Sequence, residues 1–249
     1  MALHGYISGV FTLPGFRQDY ISVDFMHTGD LGATQYILGS VFFTLFLQLG
    51  GLLTQPGRVC GRLLVLVKMF SKHLKVQAPI NALYLTMFKR QGKPAKFKGK
   101  ASTCRYLVPI IFEILKYAAP AKSYEDRLRF ACVEQLVTLY SSIMARDQAL
   151  FKVAQDACRR MLILYCELNH FYSEQRGDFV LFRIVPKFHM LIHCIDQMVV
   201  CGVVTSSWCY ADESSIGNAV KIARKGHPST VSKSVMAKYR TWDIFSMGE

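Results

Sequence analysis

Four groups of residues in this chain have types and spacings that could do chemistry. Asp24 and His27 stand three apart in VDFMHTGD, where a carboxylate and an imidazole can converge on a metal or a scissile group. The plainer alternative is that Asp24 or Thr28 caps a following helix and His27 is a satisfied, half-buried histidine. His189 and His193 are four apart, which on a helix puts both imidazoles on one face, as in helical zinc sites. The Glu that zinc proteases carry beside the first His is missing, so packing or hydrogen bonding competes with ligation. Asp212 and Glu213 are adjacent, pointing about 100° apart on a helix, so they would not bind one ion together. With Trp208 and Tyr210 just before them, the segment is either a helix start or an acidic site buttressed by aromatics.

The fourth group is KRQGKPAKFKGK, residues 89–100: Lys89, Arg90, Lys93, Lys96, Lys98 and Lys100, with no acid, two glycines and a proline. Such a composition predicts a mobile loop, and basic runs holding an aromatic such as Phe97 bind phosphate backbones and can stack on exposed bases. A solvated loop in a basic protein is the competing reading. The whole chain points the same way: 30 Lys+Arg against 17 Asp+Glu give a formal charge of +13, which makes a polyanion the natural partner. There is no phosphate-cradling Gly-rich motif, no Gly-x-Ser-x-Gly elbow and no zinc-finger spacing. Eight cysteines without a Cys-x-x-Cys pair, and no secretory leader, suggest reduced thiols in an intracellular setting.

The elements that must position these residues are mainly helical. YISVDF (Tyr20–Phe25) alternates as a half-buried strand would, and a long apolar segment follows to Leu53. Eighteen uncharged residues, Tyr36–Leu53, reach the lower limit for spanning a bilayer, but Gln48 and the Gly50-Gly51 pair favour a buried helix. Gln55-Pro56-Gly57 breaks the segment, and apolar periodicity resumes over Arg62–Tyr84. After the basic loop, Cys104, Leu107, Val108, Ile111, Ile114 and Leu115 mark a helical face that Pro109 should kink or divide and Pro120 end. Ser123 ahead of Glu125 and Asp126 reads as a cap, opening a stripe of Leu128, Cys132, Leu136, Leu139 and Ile143. A second stripe, Leu150, Ala154, Ala157, Met161, Tyr165 and Leu168, predicts a long antiparallel partner helix. FVLFRIV (residues 179–185) is a strand or an extended connector, and Pro186 suits the first position of a helix closed by Gly202.

Taken in order, VDFMHTGDLGATQYILGSVF (Val23–Phe42), KPAKFKGKASTCRYLVP (Lys93–Pro109), PKFHMLIHCIDQM (Pro186–Met198) and WCYADESSIG (Trp208–Gly217) resemble the later part of the CACTA and Plavaka-type DNA transposases. That resemblance implies a ribonuclease H-like core, in which three acids hold magnesium ions and a helical insertion separates the second acid from the third. Asp24 and His27 would match the family's Asp-x-x-His signature, and Glu213, in a Trp-x-Tyr-x-x-Glu context, the metal-binding third acid. The fold expected is mainly α, a bundle-like helical insertion over 30–205 with remnants of a ribonuclease H-like α/β core in 1–29 and 206–249.

The first two catalytic acids should lie before Asp24, where Asp19 is the single acid. The resemblance therefore implies a fragment with an incomplete triad, one that binds DNA, self-associates and takes no small-molecule substrate, in the nucleus or elsewhere inside the cell. Two other classes stay open: a non-catalytic module for nucleic acid or protein, and a membrane-associated helical protein anchored by residues 36–53.

Overall fold

The computed structural model describes residues 23–50, 52–118, 122–174, 181–198, 202 and 220. The chain divides into two compact units, Met1–Ser207 and Trp208–Glu249. The described residues of the first unit form helices joined by turns and connectors, with no strand among them.

Residues 23–25 differ from the expected half-buried strand: Val23 and Asp24 are irregular, and Phe25 already opens a helix. The cause is Asp24, whose carboxylate oxygens accept from the backbone N–H groups of Met26 and His27 at 3.1 and 3.0 Å. Six alternating residues also fit a helix entrance, and the captured amides decide it. The first turns, Met26–Ala33, are wound as a π-helix, with a kink at Gly32 (φ −108°, ψ −107°). A Cβ on Gly29 would lie 2.7 Å from the Phe25 ring, so the ring can fold back only over glycine.

The helix α1 (Thr34–Gln48) buries 12 of its 15 residues, as a helix that is apolar all round must. The stretch Met26–Gln48 is long and apolar enough to cross a bilayer, yet 83% of its most apolar window lies inside the protein's own packing. Helix α2 (Gly57–His73) follows the Pro56 break and turns Val59, Cys60, Leu63, Val67 and Phe70 inward. Helix α3 (Ala101–Glu113) runs through Pro109 without being divided and continues as a π-turn over Ile114–Ala118. Pro120 lies outside the described residues.

Helix α4 (Tyr124–Met144) starts at a full capping box: Ser123 Oγ accepts from Asp126 N, and Asp126 accepts from Ser123 N. Its apolar stripe is buried throughout. Helix α5 (Phe151–Glu174) runs back along it, bringing Arg129 onto the Tyr172 hydroxyl at 2.6 Å and Cys132 onto the Met161 carbonyl. Residues 181–185 are a connector, held by Phe182 N donating to Ser40 Oγ and Tyr165 donating to the Arg183 carbonyl. Helix α6 (Pro186–Asp196) begins with its proline at the first turn, and Gly202 takes a φ of +76°. The expected ribonuclease H-like remnants, in 1–29 and 206–249, fall almost wholly outside the described residues.

Candidate nucleic-acid interface

The basic run is neither helix nor strand, but it is not loose. Phe97 N donates to the Gln35 carbonyl at 2.8 Å, Gln35 Nε2 to the Gly99 carbonyl at 3.0 Å, and Lys96 N to the Phe88 carbonyl at 3.1 Å. Burial alternates along it: Ala95 and Phe97 are buried while Lys96, Lys98 and Lys100 are exposed. Alternate side chains of extended backbone face opposite ways, so anchoring the apolar pair turns the lysines out on the other side. Phe97 stacks on Phe42 at 5.4 Å with zero exposure, which corrects the expectation that it could stack on bases. Close approach of α1 makes this possible: a Cβ on Gly39 would sit 2.5 Å from the Lys96 backbone.

The anchored loop borders an open cavity of about 500 Å³, lined by Arg90, Lys93, Lys96 and Lys98 together with Gln35 and Tyr36. The Lys96 ammonium stands 5.2 Å over the Tyr36 ring. Burial, and after it the charge of Lys187, holds the Lys96 amine below the usual lysine range. The desolvation disfavours the charged form of the amine, and the like charge of Lys187 adds to it. Lys100 precedes α3 and is exposed; Lys89 is only 4% exposed, and its ammonium donates to the Lys93 carbonyl, closing the loop on itself.

Asp24 and His27 come together: the His27 ring Nδ1 meets the same carboxylate that receives the His27 amide. His27 is 48% exposed at its side chain and Asp24 17%. The turn is tied to α6 from several sides, with Lys187 Nζ donating to the His27 carbonyl at 2.9 Å, Cys194 to the Val23 carbonyl and Val23 N to Gln197. Lys187 also acts on Lys96 through its charge. His189 and His193 lie farther along α6, exposed, with their Nε2 atoms 2.9 Å apart.

No group of three or more His, Cys, Asp or Glu side chains able to hold a metal forms among the described residues. The Asp24 carboxylate is engaged by two backbone amides and by the His27 ring. Glu213, Asp212, Trp208 and Tyr210 lie outside them.

A polar network that the sequence did not single out sits beneath the π-helix. Asp30 has zero exposure and accepts from the Tyr140 hydroxyl, which also meets Thr34 Oγ1 at 2.9 Å. Burial, then the neighbouring Asp30 charge, pushes the Tyr140 hydroxyl well above its ordinary range. The signal available was an acid set within an uncharged run; its partner, 110 residues away, carried none. Comparison of the chain with family models, curated proteins and solved structures gave no match.

Proposed function

We propose that this chain is a transposase-derived DNA-binding segment of a mobile element, one that holds DNA and does not cut it alone. The observation that carries the reading is the cavity of about 500 Å³ lined by Arg90, Lys93, Lys96 and Lys98. A phosphate oxygen entering it meets several cations held on an anchored backbone. Little loop entropy is then lost on binding. The net charge of +13 adds long-range attraction for the same partner. The transposase part of the reading, with Glu213 as a magnesium ligand and Asp24 and His27 ordering the site, comes from the resemblance over Val23–Gly217.

Amine-reactive labelling of the full chain, with and without duplex DNA, tests it. Bound DNA is expected to protect Lys93, Lys96 and Lys98 while the exposed Lys152 on α5 reacts as before. Protection confined to other lysines, or none, overturns the reading in favour of an acidic protein partner.

A further inference from the structure

Helix α6 buries Phe188, Leu191, Cys194 and Ile195 and leaves His189 and His193 on its outer side, one turn apart. Their ring centroids are 4.5 Å apart, the planes are nearly perpendicular at 88°, and the two Nε2 atoms face each other at 2.9 Å. Two nitrogen lone pairs cannot face each other at that distance unshared. In the metal-free protein one ring carries its proton on Nε2 and donates to the other.

A cation can take the place of that proton. With metal–nitrogen bonds of about 2.0–2.1 Å, two imidazole ligands at right angles sit about 2.9 Å apart, and two at a tetrahedral angle about 3.3–3.4 Å. The observed separation meets the first geometry as it stands and the second after a few tenths of an ångström. Both rings ride on a helix whose opposite face is locked into the core, so modest rotations of the two exposed rings bring both lone pairs onto one ion.

We infer that His189 and His193 form a two-imidazole site for a borderline divalent transition-metal ion, Zn²⁺, Ni²⁺ or Cu²⁺. Imidazole nitrogen suits these ions better than it suits magnesium. On binding, the shared Nε2 proton passes through solvent to Nδ1 of the same ring, and both Nε2 lone pairs go to the metal. Two nitrogens are the share of the described residues, and water fills the remaining positions. The inference does not rest on DNA binding.

The test is calorimetric titration of the metal-free full chain with Zn²⁺, with Cu²⁺ electron paramagnetic resonance alongside. The expected result is one site that His193→Ala weakens by at least about tenfold, the loss that even an outer-shell partner causes, and that His189→Ala/His193→Ala abolishes. His170→Ala, which alters an exposed histidine paired with Glu174, should leave it unchanged. The Cu²⁺ spectrum should show two nitrogens and fall to one in His193→Ala. Identical titrations for wild type and a double variant with an unchanged circular dichroism spectrum would overturn the inference, as would a wild type that binds nothing. The pair would then be a hydrogen bond only.

Discussion

Lys187 Nζ donates to the backbone carbonyl of His27 at 2.9 Å, across 160 residues of sequence. That bond holds the start of α6 to the Asp24–His27 turn and keeps a positive charge near enough to lower the Lys96 amine. The turn and the cavity are therefore coupled electrostatically through a residue that neither motif contains.

Replacing Lys187 by Met should raise the Lys96 amine toward its ordinary range, because a like charge is removed while burial is unchanged. Nuclear magnetic resonance titration of the lysine side chains reads this directly. Loss of the bond to His27 should cost about 1 kcal/mol of stability; an unmoved Lys96 titration would separate the two lysines.

Gly39→Val should dislodge the basic loop. The added side chain meets backbone atoms of Lys96, which cannot swing aside as a side chain can. A loss of about 1–3 kcal/mol, typical of overpacking, is expected in urea unfolding, with weaker DNA binding.

Tyr140→Phe removes a donor to Asp30, a carboxylate with zero exposure. The expected destabilisation is about 1–3 kcal/mol. Unchanged stability would mean that the other contacts of Asp30 hold its charge alone.

Burial pushes the thiols of Cys104, Cys132, Cys158 and Cys194 from 9.0 up to about 12. A folded-state pKa above the unfolded one favours the protonated, folded form. That contribution is complete below pH 9.0, is lost as pH rises toward about 12, and should lower the urea midpoint over that window. Among the six described cysteines, the exposed Cys166 should react first with a thiol reagent at neutral pH, which mass mapping can follow.

Much of the helical frame was legible in the sequence. The Ser123 cap with two acids behind it, and the stripes on α4 and α5, rest on local rules that packing did not override. The strand expected at Tyr20–Phe25 failed in its described part because a period of two over so few residues does not exclude a helix entrance. Only the hydrogen bonds of Asp24 choose between them. The basic run was read as mobile because its composition is that of a loop; its alternation of Ala95 and Phe97 with lysines already marked one face for burial. Lys187, Gly39 and the Tyr140–Asp30 bond were invisible, since each depends on a partner far away in the sequence.

Phosphates held in the basic cavity would make DNA affinity depend on its lysines. The direct measurement is the affinity of the full chain for duplex DNA across a salt series, beside a variant with Lys93, Lys96 and Lys98 changed to Gln. Steep weakening with salt is expected in the wild type and a slope flatter by about 2–3 in the variant, near 0.9 for each phosphate no longer neutralised. Superimposable slopes for two equally folded proteins would contradict it.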